Sequence, residues 1–594
     1  MPTLPIVFTT REDPLFIQEL EDRIKATHNS DFLLNYPIVY IHYWVSGTVS
    51  YTDKRGNPHS YNKYGVYVGE SNDVISRTKQ HYDDALDPNQ WQNQLYLAQN
   101  HPHTIPQFIV IGHEHFNKSL TLDIENRLIE YIMSVKGVSK IHNARGNPQN
   151  KYYPQKEFTP IFQQVWSKLH QKQKDLFPPE SVIFDSAIFK ASPLKKLTDE
   201  QREAKELIIS KVISAINSHA EGQLIFIQGE AGTGKTVLTT STFYELIKQS
   251  REISSTLQCH LIVNHDQQLT VYQQMAERLD LGDGIVSKPT SFINSHTPSE
   301  KVDVCFIDEG HLLLTQGKMS YQGQNQLHDV MDRSRVTVVM FDEYQVLTTE
   351  EYWEDSVLQD FKSIASRQNN YITLDHQLRM SCAETTSEWI RRMVFDHEID
   401  EFIPDPKGYE VKSFDSPDEL YKAIQKKSKE KDCELSRVVA SYDWDYSKTK
   451  RPPDGGTWNV CIGNWSKPWN YELSHRMSRR EKAQLKNLAW AEQQHTINEI
   501  GSTYSIQGFD LSYVGVIIGP SVKYINGKIE FYPSESKNDK ATRCRTLKDG
   551  SQASFGNIFI RNELKVLLTR GVKGLYIYAC DPALRQALKD IAMI

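Results

Sequence analysis

Apolar and polar positions follow different rules in successive stretches of the chain. From Tyr36 to Asn147, short β-rich runs (Ile38 to Trp44, Tyr64 to Gly69, Gln107 to Ile111) alternate with polar loops. Two further stretches, Asp73 to Tyr82 and Thr121 to Val135, carry the three-to-four-residue spacing of amphipathic helices. That pattern predicts a small α/β unit over 1–150. Between Gln171 and Lys196 charge rises and Pro178-Pro179 cannot continue a helix, which predicts a linker over 151–196. After Leu197 the apolar runs LIFIQG, HLIVN, VDVCFID and VTVVMFD are separated by helical segments, and RVVASYD, VGVIIG and GLYIYA follow later. Near-continuous apolar strands alternating with helices read as parallel βαβ units. The expected layout is two doubly wound parallel-sheet domains, 197–378 and 379–594, with Lys528 to Asn557 as an inserted hairpin or loop. No repeat with the period of a solenoid or propeller is present.

Composition narrows the class. The 594 residues carry 68 Lys and Arg against 75 Asp and Glu, a formal charge of -7, so no global basic field advertises a nucleic-acid partner and such a partner must be held by local patches. At 39% hydrophobic and 24% charged, the chain has enough apolar surface to bury several cores, which excludes a disordered protein. The seven cysteines are scattered and odd in number, which points to a reducing compartment without a disulfide framework or zinc ribbon. Runs such as Leu224 to Ile227 and Val514 to Ile518 are far too short to span a bilayer, and the N-terminus has no basic start followed by an apolar run. The expectation is a cytoplasmic enzyme with no membrane partner.

The strongest chemical signal is Gly229-Glu230-Ala231-Gly232-Thr233-Gly234-Lys235-Thr236, between the strand Leu224 to Gln228 and the helical segment Val237 to Gln249. Strand, glycine-rich loop and helix are the setting of a P-loop: backbone N–H groups wrap phosphates, Lys235 reaches the β and γ oxygens, and Thr236 ligates magnesium. The strand Val302 to Ile307 ends in Asp308-Glu309. A carboxylate there can hold magnesium and the next can orient the attacking water, so ATP and Mg2+ are the expected cofactors.

Five further segments in order resemble a superfamily 1 helicase over about 400 residues. Gln201, in Leu197-Thr-Asp-Glu-Gln-Arg, resembles the family's adenine-reading glutamine. Phe341-Asp342-Glu343-Tyr344-Gln345 is similar to motif III, whose glutamine senses the γ-phosphate. Leu374-Asp-His-Gln-Leu-Arg379 and Leu567-Leu-Thr-Arg570 resemble motifs IV and VI, each supplying an arginine to the transferring phosphate. Gly501-Ser-Thr503-Tyr-Ser-Ile-Gln507-Gly508-Phe-Asp510 resembles motif V, which touches nucleotide and nucleic acid. The stretch from Gly501 through Pro520 is similar to the Schlafen-like helicase subgroup. The resemblance implies two RecA-like domains closing on ATP, with Gly508 and Asp510 near the nucleotide. Gly310 stands where many such helicases have alanine. Between Trp444 and Trp490, five tryptophans interleave with His475, Arg476, Arg479, Arg480 and Lys482, the mixture of a single-strand track, although most tryptophans also suit a core.

In the N-terminal stretch, Pro37-Ile-Val-Tyr40 and Tyr67-Val-Gly69 bracket a candidate hairpin, followed by Arg77 and His81 on one helix face, Glu125 in a helix, and Asn143. This order resembles the GIY-YIG nuclease family. By that resemblance Glu125 holds one divalent cation (Mg2+ or Mn2+) on the scissile phosphate, Tyr40 activates water, Arg77 stabilises phosphoryl charge, and Tyr67, His81 and Asn143 orient the site. The literal Gly-Ile-Tyr is absent and Val45 to Tyr64 form an insertion, so either tyrosine is a candidate to take the proton. A rival local reading pairs His101 with His103 and His113 with His115 as zinc ligands on a strand face.

The expectation is a small GIY-YIG-like α/β domain, a linker and two RecA-like domains: a metal-dependent endonuclease fused to an ATP-dependent motor on single-stranded or branched DNA. By analogy the fusion suits foreign-DNA defence or DNA repair. The alternatives are an RNA-directed motor and nuclease, or an ATPase with a catalytically dead N-terminal recognition module.

Overall fold

A computed structural model describes residues 4–52, 58–84, 90–99, 105–143, 152–252, 257–317, 321–453, 455–485, 488–506 and 509–591. The chain divides into two compact units, one of residues 1–196 with 271–285 and one of 197–270 with 286–594. Among the described residues, no helix is long and apolar enough to cross a membrane.

The first unit is built on a mixed five-stranded sheet of β1 (Ile6–Arg11), β2 (Ile38–Thr52), β3 (Pro58–Ser71), β4 (Gln107–Gly112) and β5 (Val138–Ile141), in the order β1-β4-β2-β3-β5. Strands β2 and β3 pair antiparallel from Ile38↔Ser71 to Thr52↔Pro58. Within the stretch expected to be an insertion, 45–64, residues 45–52 and 58–64 therefore extend this ladder, as the alternation Thr48-Val49-Ser50-Tyr51 permits. The helix Lys118–Met133 starts where the Asn117 side chain accepts from Leu120 N at 2.9 Å, and it buries Leu120, Ile124, Leu128 and Ile132.

The segment 151–196 differs from the expected linker. It carries the helices Phe158–Lys172, Glu180–Asp185 and Ala187–Lys190. Leu176, Phe177 and Ile183 are fully buried, and Trp166 Nε1 donates to Pro178 O at 2.8 Å. Its charged residues hide a sparse apolar set, most of which packs inward, although Tyr153 and Val182 stay exposed. Pro178 and Pro179 do interrupt the helices, in the gap between 172 and 180.

The second unit contains two parallel sheets. The first holds β6 (Gln223–Gly229), β7 (Cys259–Val263), β8 (Val286–Ser287), β9 (Val302–Asp308), β10 (Ser334–Phe341) and β11 (Tyr371–Leu374), in the order β11-β6-β10-β9-β7-β8. Its core gathers Phe226, Ile262, Ile307, Val339 and Phe341 beneath flanking helices. The second sheet draws on β12 (Glu410–Ser413), β13 (Arg437–Ala440), β16 (Leu511–Ile518) and β21 (Gly571–Ala579) in the order β12-β21-β16-β13. Three hairpins decorate it: β14 (Asn459–Ile462) with β15 (Trp465–Pro468), β17 (Val522–Ile525) with β18 (Lys528–Phe531), and β19 (Arg545–Thr546) with β20 (Gln552–Ala553). The latter two account for the inserted polar stretch. Trp469 and Trp490 are fully buried, with Trp490 Nε1 bonded to Glu499 at 2.9 Å, so these two are core and unavailable for base stacking.

The β2–β3 ladder demands glycine at 65, where a Cβ would stand 2.6 Å from the Trp44 ring, and at 69. Tyr40 lies opposite Gly69, and a Cβ on Gly69 would stand 2.6 Å from the Tyr40 ring and 2.9 Å from the Tyr67 ring. Gly69→Ala is expected to lower the unfolding free energy by about 1–3 kcal/mol through overpacking. Gly47→Ala, where a Cβ meets nothing within 4 Å, serves as the control and should change little. Thermal unfolding of both variants checks this; equal melting of Gly69→Ala and the unsubstituted protein would contradict the packing argument.

Candidate functional site

The P-loop joins the end of β6 to the helix Lys235–Glu252, with Gly232 at φ +91° and Gly234 at φ +79°. These left-handed conformations favour glycine, and a Cβ on Gly234 would fall 2.1 Å from Gln201 Nε2. Gln201 is held in place on both sides. Its Oε1 accepts from Thr198 N at 3.1 Å in a capping box, and its Nε2 donates to Thr233 O at 3.1 Å. In this conformation the amide braces the loop, and reading adenine would require these bonds to be exchanged.

Lys235 is buried, and its ammonium donates to the carbonyls of Gly229 at 2.6 Å and Glu230 at 2.8 Å. It also faces Asp342 at 3.6 Å. Burial would raise the Asp342 carboxyl, but Lys235 and Lys565 outweigh that penalty and hold it below its usual range. Gln345 Nε2 donates to Asp342 at 2.7 Å, and Gln345 Oε1 accepts from Arg570 Nη2 at 2.9 Å. A chain of buried polar groups therefore runs from the P-loop lysine through motif III to the motif VI arginine. Arg570 is fully buried, which together with the nearby Arg379 charge pulls its guanidinium down to about 9. Its Nε and Nη1 have no hydrogen-bond partner among the described residues. Arg379 Nε stands 2.5 Å from Asp510 Oδ1, off the hydrogen-bond axis. Asp510 thus balances Arg379, whereas Gln507 and Gly508 lie outside the described residues.

Asp308 ends β9, buried, accepting from Thr236 Oγ1 at 3.2 Å and Gln268 Nε2 at 2.8 Å. Glu309 follows at φ 53° and ψ 48°, a left-handed conformation that a non-glycine residue adopts only when its surroundings enforce it. Its Oε2 lies 3.3 Å from His311 Nε2, and burial holds the His311 ring below its usual pKa and therefore neutral. The set of Thr236 hydroxyl and Asp308 carboxylate is oxygen-only, which suits a hard divalent cation such as magnesium. The unpartnered donors of Arg570 suit an incoming phosphate. The residues present fit ATP with magnesium.

In the first unit, Tyr40 is buried and its hydroxyl stands 2.9 Å from His81 Nε2. Burial pushes the Tyr40 hydroxyl above its usual range, Tyr67 adds to the rise and Arg77 opposes it. Burial lowers His81 to about 3, so the ring is neutral near pH 7 and can accept a hydrogen bond from the Tyr40 hydroxyl. Tyr67 stacks near Tyr40, at 6.0 Å between ring centroids. Asn143 Nδ2 donates to Glu125 Oε1 at 3.0 Å and to Val68 O at 2.7 Å, which fixes the carboxylate beside β3. Arg77 is half-buried and donates to Gln80 at 2.6 Å. Tyr40, Tyr67 and His81 thus form one cluster, while Glu125 and Asn143 form a pair. A single oriented carboxylate suits one divalent cation.

Sequence reasoning missed the support beneath this cluster. Glu12 and His42 are fully buried and 2.9 Å apart, and the Tyr82 hydroxyl donates to the other Glu12 oxygen at 2.5 Å. Trp91 stacks on Tyr67 with centroids 4.1 Å apart. The available signal was alternation: His42 follows Tyr40 by two along β2 and so shares its face. It also missed Gln268 and Lys565 at the P-loop site. Of the four histidines of the zinc reading, His101 and His103 lie outside the described residues, while the His113 ring accepts from His115 N at 3.0 Å and His115 pairs with Glu157. Among the described residues, no group of three or more His, Cys, Asp or Glu side chains is arranged to hold a metal.

Residues 222–581 match the family described as Schlafen group 3, DNA/RNA helicase domain. An uncharacterized Saccharomyces cerevisiae protein, YPL245W, is 31% identical over 448 residues, covering 69% of this chain and 94% of the yeast protein. Among solved structures, the PRRSV helicase is 11% identical with a TM-score of 0.26, over 63% of this chain and 55% of the viral one. The Pif1 helicase from Candida albicans is 17% identical with a TM-score of 0.20, over 39% and 54% of the two chains. The chain thus spans about half the length of each of these two helicases.

The glycine at 310 has a local cause. A Cβ there would stand 2.5 Å from Val339 Cγ2 and 2.9 Å from Met340 O, both on the neighbouring β10. Gly310→Ala is expected to cost about 1–3 kcal/mol of stability and to displace Glu309. Chemical denaturation and ATP turnover, measured together, check this; wild-type values for both would show that the strand pair yields without cost.

Proposed function

The chain belongs to the Schlafen group 3 DNA/RNA helicase-domain family, and on that premise we propose an ATP-driven motor on single-stranded or branched DNA whose first unit is a metal-dependent phosphodiester endonuclease. The observation that carries the motor reading is the buried path Lys235, Asp342, Gln345, Arg570, because it couples the phosphate-binding loop to an arginine at the end of the helix Gly556–Leu568.

In this reading ATP sits at the C-terminal ends of the first parallel sheet. Lys235 exchanges its two loop carbonyls for phosphate oxygens. Thr236 and Asp308 would hold magnesium, which supplies charge neutralisation for the phosphates. Glu309, beside a neutral His311, orients the attacking water and accepts its proton. The open donors of Arg570, together with Arg379, stabilise charge on the transferring phosphoryl group. Gln345 bonds Asp342 and Arg570 at once, so a change at the phosphate moves both.

For the first unit, the Tyr40 hydroxyl, held by the neutral His81 ring, orients and activates the attacking water, while Arg77 stabilises phosphoryl charge. Glu125, fixed by Asn143, would hold the cation that stabilises the leaving oxygen. Burial opposes both ionisation of Tyr40 and protonation of His81, and the Arg77 charge is what favours the tyrosinate.

Lys235→Ala should abolish ATP hydrolysis in a folded protein, and Glu309→Gln should bind ATP yet hydrolyse it very slowly, because the amide keeps the shape and loses the proton acceptor. Turnover assays over single-stranded DNA and RNA, with nucleotide-binding titrations, check both; near-normal turnover in Lys235→Ala, or lost binding in Glu309→Gln, contradicts the assignment. Stimulation by RNA alone would make the motor RNA-directed.

Glu125→Gln should eliminate magnesium-dependent cleavage and leave nucleic-acid-stimulated ATPase intact. Cleavage of a labelled DNA panel by the full chain decides the matter. Absence of cleavage in the unsubstituted protein under magnesium and manganese would make the first unit a recognition module.

A further inference from the structure

The helix Gly556–Leu568 brings a second cation to the P-loop, five residues before Arg570. Lys565 is only 5% exposed, and burying an ammonium is unfavourable unless something compensates its charge. Two kinds of partner do so. The ammonium lies 4.2 Å from the Tyr344 ring centroid and 4.9 Å from that of Phe395, and it donates to Glu230 Oε2 at 2.6 Å. Glu230 is the second residue of the P-loop, and its side chain is half exposed. Lys565 is thus sheltered on one side by aromatic faces and meets on the other an accessible carboxylate on the loop that binds phosphate.

The electrostatics agree with that placement. Asp342, the partner of Lys235, is held below its usual range by both Lys235 and Lys565, so the two lysines bear on one point of the site. Tyr344 sits between Asp342 and Gln345 in the chain, which ties the aromatic shelter of Lys565 to the turn that carries the polar path to Arg570.

We propose that Lys565 is a further catalytic residue for ATP hydrolysis: it contacts the terminal phosphate of ATP, and Glu230 holds it in place when that phosphate is absent. The proposal rests on the ATPase reading. A carboxylate and a phosphate oxygen are alternative acceptors for one ammonium, and the phosphate carries the greater charge. With ATP in the loop, Lys565 leaves Glu230 for the γ-phosphate and joins Arg379 and Arg570 on it. With ADP there is no terminal phosphate, and Lys565 returns to Glu230. The switch distinguishes ATP from ADP through one side chain.

The test uses the full chain and four proteins besides the unsubstituted one: Lys565→Met, Lys565→Arg, Glu230→Gln, and Lys565→Met combined with Glu230→Gln. Affinities for ADP and for a non-hydrolysable ATP analogue are measured alongside nucleic-acid-stimulated turnover, with thermal melting to confirm folding. Lys565→Met should weaken the analogue and slow turnover by about 10- to 100-fold, the loss expected for one hydrogen bond to a charged group, while ADP affinity stays near its original value. Lys565→Arg should retain much of the analogue's affinity. Glu230→Gln should raise the preference for the analogue over ADP, because the competing carboxylate has lost its charge. Equal losses for ADP and the analogue in Lys565→Met would overturn the proposal. So would equal losses in Lys565→Met and Glu230→Gln with no further loss in the combined variant, since the pair would then act only as a structural tie. A failure of the unsubstituted protein to hydrolyse ATP sinks the ATPase reading, whereas the contrast between ADP and analogue still decides the role of Lys565. If Lys565→Met does not fold, Lys565→Arg and Glu230→Gln carry the same contrast.

Discussion

The second unit depends on one constraint: charged groups buried between its two parallel sheets must be matched, and the matching runs through a single polar path. Lys235 faces Asp342, Asp342 accepts from Gln345, and Gln345 accepts from Arg570. Leaving any member without its partner would strand a charge or amide in a low-dielectric interior, at a cost of about 1–3 kcal/mol or more for each group. The path is nevertheless incomplete at one end. Two nitrogens of Arg570 have no hydrogen-bond partner among the described residues, and its guanidinium is lowered by burial. A site that tolerates such a deficit is prepared for an anion that supplies the missing acceptors.

The surrounding fold serves this arrangement. Strands β6, β9 and β10 lie side by side and in parallel, so the P-loop, Asp308 and Asp342 emerge at one edge of the sheet. The left-handed backbone at Glu309 turns the chain sharply just past β9, and Gly310 allows that turn to lie against β10. From the second sheet's side, the helix Gly556–Leu568 delivers Lys565 and then, just beyond its end, Arg570. Each element contributes one group that would be costly to bury alone.

What was legible in the sequence was local. The run VDVCFID reads as a strand ending in a carboxylate, and β9 spans Val302–Asp308. Gly232 and Gly234 mark a tight loop because their conformations are left-handed. The pairing of the runs around Tyr40 and Gly69 as a hairpin was legible, whereas the extension of that ladder through the expected insertion was not. Partnerships over long sequence separations were not legible. Nothing in composition or period joins Lys565 to Glu230, Gln201 to Thr233, or Glu12 to His42. The segment 151–196 misled for a related reason: its average polarity conceals Leu176, Phe177 and Ile183, whose burial depends on tertiary packing. The tryptophans at 469 and 490 follow the core reading that their type already favoured over a binding track.

The central claim is that phosphate sensing and the second sheet's arginine act as one unit through Gln345. A double-mutant cycle on ATP turnover addresses it most directly, comparing Gln345→Ala, Arg570→Ala and the combined variant at saturating ATP and nucleic acid. If the two side chains act as one unit, the combined variant should be no more than about twofold slower than the slower single variant. Losses that multiply across the two positions would show that Gln345 and Arg570 contribute independently, and the buried path would then not couple them.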